Sequence, residues 1–351
     1  MVHDDEPVLL REAGGTAHII LNRPRALNAL THPMVRAIGA ALTAWEQDPD
    51  ITAVVISGAG ERGLCAGGDI RMIHDDARSG GGASPAFWRD EYRLNARIAR
   101  YPKPYVALMD GIVMGGGVGV SAHGAVRIVT ERSAVAMPET GIGLVPDVGG
   151  TFLLSRAPGE LGTHLALTGR TVGAADTLLC GLADHFVPSR RLPDLRAANG
   201  AAELRETVQT YATTAPEGRL AADREWIDAC YAADTVEEIL DRLRATGHPA
   251  AQDTAETLLT RSPTVLKATL DAVRRARRTA TLEQVLDQEY RASCAALTFP
   301  DLVEGIRAQV IDKDRDPRWS PKDLAGVTDA DVRRFSAPPP GGDLGLGGPY
   351  G

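Results

Sequence analysis

Two patterns of hydrophobic positions alternate along the chain up to about residue 195. Short runs of β-branched and apolar residues predict strands at 8–10, 17–21, 52–57, 105–108, 126–130 and 185–187. Between these runs, apolar residues recur with helical spacing. Thr31 can cap one helix with Pro33 in its first turn, and Ser84-Pro85 can begin another. Such an alternation of strands and helices predicts an α/β core.

Beyond about residue 195 only the helical pattern continues. It predicts helices over 217–231, 235–245, 251–261, 262–278, 281–297 and 299–311. We therefore divide the chain into a catalytic core over 1–195 and a helical region over 196–335. The last segment, 336–351, is rich in proline and glycine, which predicts disorder.

Composition and charge argue against several classes of function. With 351 residues and 44% hydrophobic residues, the chain can form one large domain or a domain with a smaller partner. Its 38 basic and 46 acidic residues give a net charge of −8, which argues against nucleic-acid binding. The acidic N-terminal segment is unlike a signal peptide, and the apolar stretch 105–122 contains Asp110 and several glycines. We expect no membrane association and a cytoplasmic protein.

The cysteines and histidines do not predict a metal site. Four cysteines are far apart and form no C-x-x-C pair, which favours small buried residues in a reducing compartment over disulfides or ligands. Eight histidines are scattered, and no H-E-x-x-H motif is present.

Two glycine clusters carry the first indication of chemistry. CAGGD (65–69) and MGGGVG (114–119) can leave backbone N–H groups unshielded by side chains. One N–H from each cluster, that of Gly68 and that of Gly116, can bind a single oxygen that becomes negative, forming an oxyanion hole. Two carboxylates, Glu139 and Asp147, follow closely in the sequence. This combination suggests chemistry on a carbonyl, although glycines also serve tight turns and close packing.

Two other motifs are weaker. The G-x-G-x-x-G match at 58–63 is followed by CAGGD instead of an apolar-periodic helix, so a turn is favoured over a dinucleotide site. Ser121 and His123 lack the second glycine of G-x-S-x-G and lie two positions apart, on different sides of a helix. A nucleophilic serine is therefore disfavoured.

Several longer segments resemble the crotonase superfamily. They are CAGGDIRMI (65–73), KPYVALMDGIVMGGGVGVSAHG (103–124), AMPETGIGLVPDVGG (136–150) and LALTGR (165–170). PDVGG (146–150) together with the IDKD-x-x-P-x-W tail (311–319) is similar to the 3-hydroxyisobutyryl-CoA hydrolase branch. The resemblance extends over roughly residues 8 to 330. It implies a spiral of ββα units followed by a C-terminal all-helical region.

The same resemblance implies roles for individual residues. Backbone atoms of Ala66 and Gly67 would lie near the adenine of coenzyme A. The loop with Arg25 and Ala26 would surround the coenzyme, with the arginine near its phosphates. Glu91 would accept a hydrogen bond from the substrate 3-hydroxyl, although pattern alone places this acid on a solvated helix surface.

The expected activity comes from the hydrolase-branch resemblance together with one departure from the superfamily. Enoyl-CoA hydratases carry a glutamate two positions after the triple glycine, where this chain has Gly119. The resemblance to the hydrolase branch implies hydrolysis of 3-hydroxyisobutyryl-CoA, a step of valine breakdown. Glu139 would attack the thioester or activate water, and Asp147 would assist proton transfer. Coenzyme A belongs to the substrate, and no other cofactor is expected.

Two alternatives remain open at this stage. The first is an enoyl-CoA hydratase or isomerase, and the second is a non-catalytic acyl-CoA-binding protein. The sequence also leaves open the acyl-chain preference and the oligomeric state, a homo-oligomer included.

Overall fold

The structure, a computed structural model, describes residues 6–347. Within them the strands are β1 (Val8–Ala13), β2 (Thr16–Leu21), β3 (Ala53–Gly58), β4 (Gly63–Cys65), β5 (Tyr105–Met109), β6 (Ile112–Met114), β7 (Val126–Val129), β8 (Ala134–Ala136) and β9 (His185–Phe186). The helices are α1 (His32–Gln47), α2 (Ile70–Ser79), α3 (Ala83–Ala99), α4 (Gly116–Gly119), α5 (Gly150–Leu154), α6 (Leu161–Thr168), α7 (Ala174–Leu179), α8 (Leu192–Ala197), α9 (Gly200–Tyr211), α10 (Leu220–Tyr231), α11 (Val236–Ala245), α12 (Pro249–Leu259), α13 (Pro263–Arg278), α14 (Leu282–Ala296), α15 (Pro300–Ile306) and α16 (Asp329–Arg334).

Two sheets form the spiral that the resemblance implies. The larger has the order β1-β2-β3-β5-β7-β9, and the smaller has the order β4-β6-β8. Only the β1–β2 pair is antiparallel among the described strands. Each successive pair, β3-β4, β5-β6 and β7-β8, gives one strand to the large sheet and the next to the small one. The predicted α/β fold of repeated ββα units is confirmed.

The strands of the large sheet coincide with the apolar runs in the sequence. The strands of the small sheet, β4, β6 and β8, have three residues each and were not predicted. Three residues are too few to show the period-two alternation of a half-buried strand. Their positions are set instead by parallel pairing with one another.

The chain forms two compact units, which share no simple boundary in the sequence. The first consists of residues up to Gly68, Arg93–Ala136 and Thr171–Gly218, and it contains both sheets. Helices α8 and α9 contribute to its core, where apolar side chains of the large sheet are buried. The members of this core are Ala53, Val55, Val106, Leu108, Ile128, Val187, Leu192, Leu195, Ala198, Leu204 and Val208.

The second unit is helical and consists of Asp69–Tyr92, Met137–Arg170 and the residues from Arg219 onward. Helix α13 is central in it and packs on α5, α6, α11, α14 and α16. Its long buried side chains include Trp226, Ile227, Tyr231, Leu240, Leu243, Leu258, Leu266, Val273, Leu286 and Tyr290. After β9 no strand occurs in the described residues. The predicted change to an all-helical C-terminal part is thus confirmed.

Part of the proline- and glycine-rich tail has defined contacts. The Asp343 carboxylate pairs with the Arg291 guanidinium at 2.6 and 2.7 Å, and Leu344 is buried. The Leu346 amide donates to Asp287 at 3.1 Å. These contacts occur within the segment for which composition predicts disorder. Its last residues, 348–351, lie outside the described residues, as do residues 1–5 of the acidic N-terminal segment.

No helix among the described residues combines the length and the apolar character needed to cross a membrane.

Candidate active site

In the first unit, the two glycine clusters follow neighbouring parallel strands. Strand β4 ends at Cys65 and β6 ends at Met114, so the loops that follow them emerge at the same edge of the small sheet. A Cβ atom on Gly67 would lie 3.3 Å from the Met114 carbonyl oxygen and 3.7 Å from the Gly116 nitrogen. On Gly117 it would lie 2.3 Å from the Cys65 carbonyl oxygen, which no side chain tolerates. Glycine therefore lets the two backbones touch.

The predicted oxyanion donors lie in these touching loops. Helix α4 begins at Gly116, so the N–H of this residue has no acceptor within the helix. Among residues 6–347, no protein acceptor pairs with the N–H of Gly116 or of Gly68. Both amides are available to a ligand oxygen.

A third loop joins the CAGGD segment by backbone hydrogen bonds. The Ala66 amide donates to the Leu27 carbonyl at 3.0 Å, and the Leu30 amide donates to the Gly67 carbonyl at 2.8 Å. Arg25 and Ala26 lie at the exposed turn just before these contacts. The structure thus brings the predicted coenzyme A loop against Ala66 and Gly67.

Asn28 holds this loop in an unusual conformation. Leu27 and Asn28 have φ of +52° and +56°, a region that residues with side chains enter at a cost. The Asn28 side-chain amide donates to the carbonyls of Ala59 and Gly63, each at 3.0 Å, and its oxygen accepts from the Arg23 amide at 2.9 Å. These hydrogen bonds offset the free-energy cost of the positive φ angles, because they satisfy buried polar groups.

In the second unit, four acidic side chains form what we call the carboxylate cluster: Glu91 of α3, Glu139 of the 3₁₀ turn Glu139–Ile142, Asp147 of the loop before α5, and Glu289 of α14. Their exposed fractions are only 2%, 4%, 6% and 2%. Acidic side chains are rarely buried unless an ion pair or a function compensates the cost.

Burial raises the pKa of every member of the cluster, and repulsion from neighbouring carboxylates adds to this effect for Glu91, Glu139 and Glu289. Burial raises the pKa of Asp147 to about 6 and that of Glu289 to about 8. The pKa of Glu139 lies well above its usual range because of burial and the charges of Asp147, Glu289 and Glu91. Burial and the Asp147 charge likewise raise the pKa of Glu91. At neutral pH the cluster therefore holds protons that ordinary carboxylates release.

A hydrogen bond from Tyr92 favours the ionised form of Asp147. The Tyr92 hydroxyl donates to Asp147 Oδ2 at 2.6 Å and lies 2.7 Å from Ser293 Oγ. Because a phenol has one proton and gives it to the carboxylate, Ser293 must donate to Tyr92. This hydrogen bond lowers the pKa of Asp147 against the effect of burial.

Two oxygens of the cluster have no hydrogen-bond partner within the described residues. They are Oε1 of Glu91 and Oε2 of Glu139. A buried polar atom without a partner is costly and uncommon. Both atoms are therefore suited to receive a ligand.

The family profile described as enoyl-CoA hydratase/isomerase matches residues 16–336. The chain belongs to this family. Among its relatives, "3-hydroxyisobutyryl-CoA hydrolase, mitochondrial" of Rattus norvegicus is 43% identical over 339 residues, covering 93% of this chain and 88% of the relative. The protein of that name from Homo sapiens is 43% identical over 341 residues, covering 93% and 87%.

Two solved structures are also similar to the chain. A carnitinyl-CoA dehydratase from Mycobacterium thermoresistibile is 51% identical with a TM-score of 0.94, covering 98% of this chain and all (100%) of that one. An enoyl-CoA hydratase from Rhodobacter sphaeroides 2.4.1 is 46% identical with a TM-score of 0.89, covering 96% and 98%.

Within this family member, the predicted residues fall into two groups. The first unit holds Arg25, Ala26, Ala66, Gly67, Gly68 and Gly116. The second unit holds Glu91, Glu139 and Asp147. Glu91 is buried, unlike the solvated surface acid that its charged helix pattern indicated.

Sequence reasoning did not single out Tyr92, Glu289 and Ser293. Tyr92 adjoins Glu91 in EYRLN (91–95) and Glu289 begins EYR (289–291), but neither segment by itself suggests a role for these residues. Ser121, considered as a nucleophile, instead donates to the Gly117 carbonyl at 2.6 Å in the preceding helical turn.

Proposed function

We propose that this chain hydrolyses acyl-CoA thioesters, with 3-hydroxyisobutyryl-CoA as the substrate and 3-hydroxyisobutyrate and coenzyme A as the products. That reaction belongs to valine breakdown. The observation that carries the proposal is the buried carboxylate cluster, in which Glu91 and Glu139 each have an oxygen without a partner. The names of the relatives at 43% identity support the choice of reaction.

The proposed reaction assigns the thioester oxygen to the N–H groups of Gly68 and Gly116. These donors would stabilise the negative charge that forms when the carbonyl carbon becomes tetrahedral. Glu139 attacks that carbon or removes a proton from the attacking water. The C–S bond then breaks, and the leaving thiolate takes a proton delivered with the help of Asp147. If Glu139 is the nucleophile, water then hydrolyses the anhydride that has formed, which releases 3-hydroxyisobutyrate and regenerates the Glu139 carboxylate. The proposal requires the amides and the carboxylates to act on one carbonyl.

The pKa values of Asp147 and Glu139 are consistent with their different proposed roles. Asp147, with a pKa of about 6, is largely ionised at neutral pH and can accept a proton. The raised pKa of Glu139 makes its ionised form a stronger base than an ordinary glutamate. Different environments therefore give two neighbouring carboxylates different tasks.

Glu91 is proposed to recognise the 3-hydroxyl of the substrate. Its Oε1 atom is buried and has no partner within the described residues. Leaving a buried oxygen without a hydrogen bond costs free energy. A substrate hydroxyl that donates to Oε1 would remove this cost, whereas a substrate without a hydroxyl would leave it in place. This difference would favour 3-hydroxyacyl groups over plain acyl groups.

The remaining parts of the proposal concern the coenzyme and the compartment. The exposed turn with Arg25 and the backbone of Ala66 and Gly67 would bind coenzyme A, and hydrolysis would need no metal or redox cofactor. We place the protein in the cytoplasm because its free, mostly buried cysteines suit a reducing compartment. The relatives named above are mitochondrial, so cell fractionation is the test.

Hydration or dehydration of an acyl-CoA is a second candidate. It is favoured by the similarity to structures described as a carnitinyl-CoA dehydratase and an enoyl-CoA hydratase. Such a reaction needs acid and base groups on either side of a carbon–carbon bond. Gly119 supplies none at the position where hydratases of the superfamily carry a glutamate.

A direct comparison of substrates distinguishes these activities. Free thiol is measured with 3-hydroxyisobutyryl-CoA, and loss of the double bond is measured with crotonyl-CoA. The proposal predicts thiol release and slow hydration. Fast hydration without thiol release would establish the second candidate, and binding without turnover of either would indicate an acyl-CoA-binding protein.

A further inference from the structure

Helix α14 presents two buried polar residues one turn apart. Glu289 and Ser293 are 2% and 1% exposed, and residues four positions apart lie on the same face of a helix. Neither residue has a role in the reaction proposed above. Both make hydrogen bonds close to Asp147: Glu289 with the backbone of the loop that carries it, and Ser293 with Tyr92.

Glu289 holds the loop that carries Asp147. Its Oε2 accepts from the Gly149 amide at 2.6 Å, and its Oε1 accepts from the Thr151 amide at 2.8 Å and the Thr151 hydroxyl at 2.5 Å. The two backbone amides approach different oxygens, so both oxygens must accept a hydrogen bond. Both oxygens of a carboxyl group can do so, whereas a carboxamide has only one acceptor oxygen.

The loop needs such restraint because its backbone is strained. Val148 has φ of +55°, which is exceptional for a β-branched residue, and Gly149 follows with φ of +80°. Strained conformations persist only when surrounding contacts fix them. The Gly150 amide also donates to the Asp147 carbonyl at 2.7 Å, so the position of Asp147 depends directly on this turn.

Ser293 reaches the same carboxylate by another route. Its hydroxyl donates to Tyr92, whose own hydroxyl donates to Asp147 Oδ2. The serine thereby fixes the direction of the tyrosine proton. Glu289 restrains the backbone of Asp147, while Ser293 and Tyr92 restrain its side chain.

We propose that Glu289 and Ser293 are positioning residues through which α14 holds Asp147 in its reactive orientation. This inference rests on the proposed function, in which Asp147 assists proton transfer. A misplacement of about 1 Å in a catalytic group can cost about 10²-fold in rate. The loss should appear in kcat, because neither residue lies in the loops proposed to bind the coenzyme.

The test uses Glu289→Gln, which places an NH₂ group against at least one of the loop donors. We expect kcat for thiol release to fall about 10²-fold with KM nearly unchanged. Ser293→Ala should cause a smaller fall. Gln288→Ala is the matched control, because Gln288 neighbours Glu289 on α14 but donates to Thr279 at 3.3 Å. Its kcat should stay near that of the wild type.

A double-mutant cycle separates positioning from general damage. If Glu289 acts through Asp147, Glu289→Gln should cost much less in an Asp147→Asn background than in the wild type. Equal losses in both backgrounds would overturn the proposal. Should Glu289→Gln not fold, Thr151→Val and Ser293→Ala supply milder members of the same cycle.

Crystal structures provide a readout that does not depend on the reaction. In Glu289→Gln the Asp147 carboxylate should be displaced, and an unmoved carboxylate would overturn the proposal. Absence of thiol release by the wild type would instead refute hydrolysis, so the two failures are distinguishable.

Discussion

Replacing Tyr92 with Phe tests how the site controls the ionisation of Asp147. The change removes the hydroxyl that donates to Asp147 at 2.6 Å and keeps the buried ring. A hydrogen bond to a charged group contributes about 1.5–3 kcal/mol, and one pKa unit corresponds to about 1.4 kcal/mol. The Asp147 pKa of about 6 should therefore rise by about 1–2 units.

The assay is the pH dependence of kcat/KM for thiol release between about pH 5 and pH 9. If ionised Asp147 is required, the acid limb of the Tyr92→Phe profile should move up by about 1–2 units. Near pH 6 the rate should fall by about tenfold, while near pH 9 it should approach that of the wild type. The apparent pKa belongs to the whole cluster, so the comparison is between profiles.

Tyr290→Phe is the control for this prediction. The Tyr290 ring meets that of Tyr92 edge to face at 6.3 Å between centroids, but its hydroxyl accepts from Arg89 at 2.9 Å. It should leave the acid limb in place. A Tyr92→Phe profile lowered equally at every pH, without a shift, would refute the reasoning.

Four further predictions follow from the same geometry. Glu139→Gln should nearly abolish kcat while calorimetry still detects coenzyme A binding, because an amide keeps the shape but not the basicity; near-wild-type kcat would exclude Glu139. Glu91→Gln should penalise 3-hydroxyisobutyryl-CoA more than isobutyryl-CoA, and equal losses would remove its proposed role. Gly116→Val, shown by circular dichroism to be folded, should lower kcat by at least about 10²-fold; normal cleavage would place the oxyanion elsewhere. In denaturant titrations the free energy of unfolding of the wild type, relative to that of an Asp147→Asn/Glu289→Gln variant, should fall as pH rises from about 4 to about 8, because the folded pKa values of Asp147 and Glu289 exceed their unfolded values and the folded state binds more protons at these two groups; a relative rise over this range would contradict the shifts.

Local patterns predicted the elements that are marked by continuous apolar runs or by apolar residues with helical spacing. Strands such as β3 and β5 are continuous apolar runs, and α1 begins after Thr31 as its cap position and Pro33 indicate. The short strands of the small sheet could not be predicted, because their structure comes from pairing with distant strands. Asp69 occupies the N-cap position of α2, although its side chain makes no capping hydrogen bond.

The candidate site likewise contains residues that the sequence indicates and residues that only the folded structure identifies. Glycine clusters and carboxylates are visible as residue types, and the family resemblance connected them to acyl-CoA chemistry. Tyr92 and Asp147 are separated by 55 residues, Gly149 and Glu289 by 140, and Tyr92 and Ser293 by 201. Nothing local to Glu289 or Ser293 marks them, because their roles depend on contacts formed only in the folded chain. The burial that raises the carboxylate pKa values also arises only on folding.

One substrate can test the central claim directly. The enzyme is incubated with 3-hydroxyisobutyryl-CoA, and the products are separated by mass spectrometry. Thioester hydrolysis predicts free coenzyme A and 3-hydroxyisobutyrate in equal amounts, with no accumulation of an unsaturated acyl-CoA. Conversion to the unsaturated thioester, with coenzyme A still attached, would contradict the account and identify a dehydratase.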